Sequence, residues 1–201
     1  MLNRTIYNPL AKDKVTFLET EEDTGGAYEL VEVELAPGGG VSLHYHTSLV
    51  EEFEPITGPL GIELDSKRLQ VFPGQIAVAP VNSLHRFYNP SQTETILFKV
   101  YIRPARNFEK TLRIAYGLVN DGKVNRKGIP KSIWHMALLF HYGESYLPGI
   151  PLFLQKRVFG FLAFLATKLG KDKALEKYWV GERINGSDHF QKMAINNTPL
   201  L

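Results

Sequence analysis

The feature that most limits the possible folds is a change in hydrophobic periodicity near Pro104. Between residues 14 and 102, short β-favouring runs alternate with the Gly, Pro, Asn and Asp residues that form turns. Many short strands at nearly even spacing are typical of an antiparallel sandwich or barrel. Beyond Pro104 the apolar residues recur at helical spacing instead. We therefore expect a mainly β fold, with an antiparallel barrel followed by an α-helical C-terminal extension.

Alternation and turn residues assign the elements in more detail. In Tyr28–Ala36, the side chains of Val31, Val33 and Leu35 share one face, as in a half-buried strand. The first helix follows Asn107, a residue type favoured as an N-cap. The other predicted strands are Val15–Glu19, Val41–His46, Glu51–Thr57, Leu60–Asp65, Arg68–Phe72, Ile76–Pro80, Leu84–Tyr88 and Glu94–Ile102. The predicted helices cover residues 108–119, Ser132–Tyr142, Leu152–Leu169 and Lys173–Val180.

This assignment divides the chain into three parts. Residues 1–24 form an N-terminal segment with a strand, residues 25–104 form the barrel, and residues 105–201 form the helical extension. With 23 Lys and Arg against 21 Asp and Glu, the net charge is +2, so there is no electrostatic basis for nucleic-acid binding. The chain has no cysteine, which excludes disulfides and zinc–thiolate sites. Without a secretory signal or an apolar run of ~18 residues, we expect a cytoplasmic location.

The segment with the most chemical content contains two histidines. His44 and His46 are two residues apart on a predicted strand, so both imidazoles point to the same face and offer lone pairs to a metal ion. Glu51 opens the next predicted strand, and His85 begins a later strand that can face the pair across a barrel. Three imidazoles and one carboxylate suit Mn, Fe, Co, Ni, Cu or Zn. Taken alone, a His-x-His pair on a strand is more often structural, so both interpretations stay open at this point.

These residues stand at the spacings of the two sequence motifs of the cupin family. The first motif, a Gly, a His-x-His pair, a Glu and a second Gly, is matched by Gly38, His44, His46, Glu51 and Gly58. The second motif is matched by Gly74, Pro80, His85 and Asn89. Asn82 stands where the family has Gly, and Asn is the residue next best able to adopt a positive φ. The sequence therefore resembles the cupins over residues 25–104.

The resemblance implies a jelly-roll barrel that holds one divalent transition metal ion (Fe, Mn, Ni, Co, Cu or Zn) on His44, His46, Glu51 and His85. Thr24-Gly-Gly26 and Ala36-Pro-Gly-Gly39 are similar to single-domain cupins related to quercetin dioxygenases. This likeness implies a metal-dependent dioxygenase for a small molecule, with Glu51 also able to act as a base. Two alternatives stay open, since cupins differ widely in function: a non-catalytic ligand-binding or sensory cupin, and a redox-neutral metal isomerase or lyase.

Alternation also predicts which neighbours of the metal ligands face into the barrel. Ser42, Phe53 and Phe87 lie in phase with the ligands, so we expect them to line a mostly apolar substrate pocket. The alternative role for the two phenylalanines is packing of the barrel core. The histidines that we expect to be unrelated to the site are His135, His141 and His189.

The helix Leu152–Leu169 leaves two kinds of partner open. One wide face is apolar, while the other carries Arg157 and Lys168 with Phe153 and Phe164 between the charges. We favour burial against the barrel on one side and against a second subunit on the other, and we expect a homodimer. A basic helix with aromatic residues can instead lie on a membrane surface.

Overall fold

A computed structural model of the chain describes residues 3–180, and it confirms an antiparallel barrel followed by helices. The strands are β1 (Thr5–Asn8), β2 (Asp13–Glu19), β3 (Glu29–Leu35), β4 (Tyr45–His46), β5 (Val50–Thr57), β6 (Leu60–Leu64), β7 (Lys67–Val71), β8 (Ala77–Ala79), β9 (His85–Tyr88), β10 (Ile96–Arg103) and β11 (Ser145–Tyr146). The helices are α1 (Glu21–Thr24), α2 (Phe108–Asn120), α3 (Ile133–Gly143), α4 (Leu152–Lys168) and α5 (Lys173–Glu176).

The barrel is built from two antiparallel sheets that enclose one core. Six strands follow the order β1-β2-β3-β10-β5-β8, and three follow the order β7-β6-β9. Alternation explains the burial: β10 turns Phe98 and Val100 inward, and their neighbours Leu97 and Lys99 are only partly buried. The side chains of Val31, Val33 and Leu35, which were predicted to share one face of β3, are buried in the same core. This core also contains apolar side chains of β6 from the smaller sheet. The core therefore lies between the two sheets.

The structure differs from the predictions in several elements, and the strands Thr5–Asn8 and Ser145–Tyr146 and the helix Glu21–Thr24 were not predicted. The strand Thr5–Asn8 joins the large sheet by pairing with β2. The predicted strand Val41–His46 is reduced to Tyr45–His46, and the last predicted helix ends at Glu176. The strand is shorter because its pairing with β9 consists of two isolated bridges, Gly40 with Tyr88 and His44 with His85. Between the two bridges there are four residue steps from Gly40 to His44 but only three from His85 to Tyr88. The histidine segment therefore bulges, and the regular alternation of its side chains is lost.

Helix α2 closes one end of the barrel and is tied to it by polar contacts. The Tyr116 hydroxyl donates to Asp13 at 2.6 Å, and the Arg113 guanidinium donates to the carbonyl of Asn3 at 2.9 Å. Asn107 occupies the N-cap position as predicted, but its side chain makes no capping bond. The buried carboxyl of Glu29 on β3 instead accepts from the backbone N–H of Glu109 at 3.2 Å. A side chain of the barrel therefore binds a backbone N–H in the first turn of α2.

The remaining helices form a second apolar core beside the barrel. Helices α3 and α4 pack along each other, and the rings of Phe140 and Phe159 stack with centroids 4.4 Å apart. Gln155 is buried on α4, and its amide binds the backbone of Leu147 and Ile150, which holds the preceding loop against the helix. None of the helices within residues 3–180 is both long enough and apolar enough to cross a bilayer.

Candidate metal centre

The four predicted ligands come together in the structure, although they come from separate parts of the barrel. One ligand atom from each of His44, His46, Glu51 and His85 lies within 4.8 Å of the others. The closest pair is His85 Nε2 and Glu51 Oε2, at 2.7 Å, and His46 Nε2 lies 3.9 Å from the same oxygen. A group of this size and composition can hold one transition metal ion.

Backbone pairing between the histidine segments fixes their separation. His44 and His85 exchange two backbone hydrogen bonds, with N–O distances of 3.0 and 2.8 Å, so their side chains leave neighbouring chains at one level. Asn82 adopts a φ of 65°, as a glycine would, and its N–H donates to the carbonyl of His46 at 2.6 Å. The residue that departs from the family motif therefore still makes the turn that supports His46.

The helical extension also positions His46. Strand β4 contains only Tyr45 and His46, and it pairs with β11, which directly follows α3. Ser145 lies opposite His46, and Tyr146 lies opposite Tyr45 with ring centroids 5.8 Å apart. The extension is therefore part of the wall around the site, a role that no sequence pattern predicted.

The hydrogen bonds of two imidazoles fit metal binding. Nδ1 of His44 lies 2.8 Å from the carbonyl of Ser42, and Nδ1 of His85 lies 2.9 Å from the carbonyl of Ser83. A carbonyl oxygen only accepts, so each Nδ1 carries a proton. Nε2 of His44 therefore keeps a lone pair, whereas Nε2 of His85 donates to the Glu51 carboxylate and must lose that proton before it can bind a metal ion. Backbone carbonyls that orient the second nitrogen are common around metal-binding histidines. The donor set therefore fits a transition metal ion in its chemistry and in its orientation.

Burial and mutual charge shift the pKa values of the ligands in different directions. Burial lowers the pKa of His46, and it lowers that of His44 to about 4. Burial also acts on His85, but the hydrogen bond and the negative charge of Glu51 outweigh it and raise the pKa of His85. Burial disfavours the charged form of Glu51, yet the hydrogen bond from His85 and the nearby imidazoles bring its pKa down to about 2. Glu51 is therefore an anion at neutral pH, as a metal ligand must be.

A pH dependence of metal affinity follows from these shifts. Protons and metal ions compete for the same imidazole nitrogen, and His85 is the ligand whose pKa is raised. Affinity is expected to fall about tenfold per pH unit below the pKa of His85, because binding displaces one proton there. Competition with a fluorescent chelator across roughly pH 5 to 8, the range in which imidazoles titrate, measures this effect. An affinity that does not change with pH would contradict it.

An interior cavity of about 180 Å³ adjoins the metal ligands. Its wall is mostly apolar, as small-molecule sites usually are. Helix α2 contributes Phe108, Thr111, Leu112 and Tyr116, and the chain after α3 contributes Gly143 and Ser145. The strands contribute Asp13, Val15, Val31, Val33, Val41, His44, His46, Glu51, Phe87 and Val100.

The three predicted pocket residues lie in different places. Phe87 lines the interior cavity. Phe53 is fully buried, with its ring centroid 6.4 Å from that of His85 and 6.1 Å from that of Phe87, so it packs behind the site. Ser42 is exposed on an outer groove of about 520 Å³, because the bulge before His44 breaks the alternation. The groove and the interior cavity share four lining residues, namely Val41, His44, Thr111 and Ser145.

A hydrogen-bonded pair of polar residues in the cavity, Asp13 and Tyr116, was not predicted from the sequence. Asp13 is buried and accepts the Tyr116 hydroxyl on Oδ2, while its Oδ1 has no hydrogen-bond partner among the residues described. Burial raises the pKa of Asp13 to about 6 and that of Tyr116 well above its usual value. Asp13 lies in phase with the inward residues Val15 and Phe17, so extending the predicted strand by one alternation would have found it.

Among the described residues, the other histidines are not part of this group of ligands. His135 and His141 lie on α3. His189 lies outside the described residues.

Comparisons with known proteins find similarity over the barrel part of the chain. Residues 31–101 match the family model described as Cupin domain. A search of curated proteins finds no significant relative. Similar solved structures include a predicted oxalate decarboxylase from Thermotoga maritima (19% identity, 46% of this chain, 80% of that chain, TM-score 0.43). An RmlC-like cupin from Shewanella frigidimarina has 16% identity over 53% of this chain and 89% of that chain, with a TM-score of 0.44.

A third similar structure is the polyketide cyclase RemF from Streptomyces resistomycificus. It has 23% identity over 46% of this chain and 65% of that chain, with a TM-score of 0.42. The family match spans strands β3 to β10 and includes all four clustered ligands. Over residues 31–101, the barrel of this chain is therefore similar to a cupin domain.

Proposed function

We propose that this cupin holds one divalent transition metal ion on His44, His46, Glu51 and His85 and acts as a metal-dependent dioxygenase on a small molecule. The observation that carries the proposal is the group of ligand atoms within 4.8 Å, beside a cavity of about 180 Å³. When bound, the ion supplies Lewis acidity and a template for substrate and dioxygen. The identity of the ion among Fe, Mn, Ni, Co, Cu and Zn follows from its measurement in purified protein.

The cavity indicates the kind of substrate. Phe87, Val100 and Leu112 present apolar surface, and within residues 3–180 the only carboxyl groups in the wall are those of Asp13 and Glu51. A flat, largely apolar molecule that chelates through oxygen, such as an enediol, a phenol or a β-diketone, matches this wall. The outer groove that reaches His44 offers a route from solvent to the ligands.

An oxygen electrode tests the proposal. The metal-loaded protein is mixed with a panel of phenols, enediols and β-diketones, and the same protein treated with chelator serves as the control. We expect oxygen uptake that requires both substrate and metal. Turnover without oxygen uptake would contradict the dioxygenase and assign the protein to the isomerases or lyases. Tight ligand binding without turnover for any of the six metals would assign it to the sensory cupins.

A redox-neutral isomerase or lyase is the second candidate, and the pair formed by Asp13 and Tyr116 favours it. A carboxyl with a pKa of about 6 is suited to accept and return a proton at neutral pH, and its Oδ1 is free of protein partners in the described chain. Asp13→Asn keeps the shape and removes the proton exchange. In a proton-transfer enzyme this variant loses turnover, whereas in a dioxygenase that uses only the metal it keeps most of it. Glu94→Gln, an exposed carboxylate changed in the same way, is the control.

We also propose that the cupin forms a homodimer through the free edge of its large sheet. Strand β8 is an edge strand, and Phe72, Ile76, Val78 and Val81 expose apolar surface around it. An unprotected apolar edge is a surface that other strands can pair with. We place this dimer in the cytoplasm, in keeping with a chain that has no cysteine.

Light scattering tests the dimer. The wild type should have twice the 22.7 kDa of one chain, and Ile76→Arg with Val78→Arg should have the mass of one chain. The exposed position of both side chains makes the substitutions compatible with folding. A wild type of 22.7 kDa, or a double variant that stays dimeric, would show that the edge is not the interface.

A further inference from the structure

Helix α4 presents an exposed apolar stripe that the proposed chemistry does not use. Phe153, Phe161 and Phe164 are 69%, 61% and 57% exposed. Together with Arg157 and Lys168 they follow one another at spacings of four, four, three and four residues, which places all five along one side of the helix. The opposite side is buried against the rest of the extension through Gln155, Ala163 and Ala166. Apolar surface of this size on one helix marks an interaction site.

The charged residues of the chain segment that carries the stripe are all of one sign. Residues 145–171 contain no Asp or Glu, but they contain Lys156, Arg157, Lys168 and Lys171. Within the stripe, the Lys168 ammonium lies 5.7 Å from the centre of the Phe164 ring, so the cation and the aromatic face belong to the same surface. Aromatic side chains among cations, without any carboxylate, match the headgroup region of an anionic membrane.

A second copy of the chain fits the stripe less well. A two-fold dimer would place the stripe against itself, and Arg157 and Lys168 of both copies would then meet without a carboxylate from this segment to pair with them. Like charges at an interface oppose association. The edge of the barrel near Val78, in contrast, exposes apolar residues on an edge strand, and it is the dimer surface proposed above.

We propose that α4 docks this cupin onto an anionic lipid surface, with Phe153, Phe161 and Phe164 in the acyl–headgroup boundary and Arg157 and Lys168 at the lipid phosphates. The helix lies flat, because its other side is packed on α3. This proposal does not depend on the metal or on the reaction.

Co-sedimentation of the full chain with vesicles tests the proposal. One set of vesicles is phosphatidylcholine alone, and the other contains phosphatidylglycerol at about one lipid in three. The wild type should bind the anionic vesicles at least about tenfold more tightly, because each cation at the surface contributes to affinity. Phe153→Ser with Phe161→Ser and Phe164→Ser should bind at least about tenfold more weakly than the wild type. Leu18→Ser, an exposed apolar residue of β2 away from the proposed dimer edge, is the control.

Charge reversal gives a second, independent variant. Arg157→Glu with Lys168→Glu should reduce binding to anionic vesicles by about tenfold or more, and Lys67→Glu with Arg68→Glu, the same change in net charge on the barrel, should reduce it far less. Circular dichroism checks that each variant is folded. A wild type that binds neither kind of vesicle, or stripe variants that bind as tightly as the wild type, would overturn the proposal. So would a stripe variant that turns a dimer into a monomer, because the stripe would then be the contact between copies.

Discussion

Replacing Glu51 with alanine is expected to reduce metal-dependent turnover at least about 100-fold. Removing a residue that merely orients a metal ligand typically costs 10- to 100-fold, so removing a ligand itself should cost more. Glu51 is also the hydrogen-bond partner of His85 at 2.7 Å, and without it the pKa of His85 loses the influence that raises it. The change therefore removes the only carboxylate of the ligand group and releases a second ligand from its position.

The neighbouring residue provides a matched control. Glu52 follows directly in β5 but points to the other face, where it lies 3.5 Å from Arg103. Glu52→Ala should keep turnover within about a factor of three, since exposed ion pairs contribute little. The measurement is steady-state turnover by the oxygen electrode, or by substrate loss if the reaction is redox-neutral. Full activity in Glu51→Ala would contradict the assignment of Glu51 as a ligand of the metal ion.

Replacing Phe98 with alanine is expected to cost about 3–5 kcal/mol of unfolding free energy, the usual range for a large aromatic residue in a core. Phe98 is completely buried on β10, and its ring contacts that of Phe87 with centroids 5.1 Å apart. Because Phe87 lines the interior cavity, the space left by Phe98 should also loosen the wall of the substrate site.

Urea unfolding followed by circular dichroism measures the loss of stability. Leu69→Ala is the control, because Leu69 is 40% exposed on the edge strand β7 and its loss should change stability by less than about 1 kcal/mol. A Phe98→Ala variant that unfolds at the same urea concentration as the control would contradict the expected contribution of Phe98 to the stability of the core.

The order of strands and helices along the chain could be predicted, because the sequence patterns that indicate them are local. Alternating apolar residues in β3 and β10, and the later change to helical spacing, depend only on neighbours in sequence. The ligand group could be predicted because the two motifs fix residue types at set spacings. His44 and His85 could therefore be assigned to the same metal site from the sequence. Even the departure at Asn82 behaved as its backbone preference predicts, with a φ of 65°.

The parts that were missed depend on packing between distant segments. The first strand, Thr5–Asn8, is short, and its pairing with β2 gives it stability that its own sequence does not indicate. The cavity receives Tyr116 and Ser145 from the helical extension only because α2 and β11 fold back over the barrel. The position of Ser42 depends on one bulged residue, and a bulge changes the facing of every side chain near it.

The metal content of purified protein tests the central claim most directly. Protein prepared without chelator should carry about one first-row transition ion per chain, measured by elemental analysis. His44→Ala with His85→Ala should carry less than about a tenth of that amount, because the two remaining ligands cannot compete with buffer for the ion. His135→Ala with His141→Ala, two histidines of α3, should leave the metal content unchanged. Unchanged metal in the His44→Ala and His85→Ala variant, or a wild type without metal under any loading condition, would contradict the account.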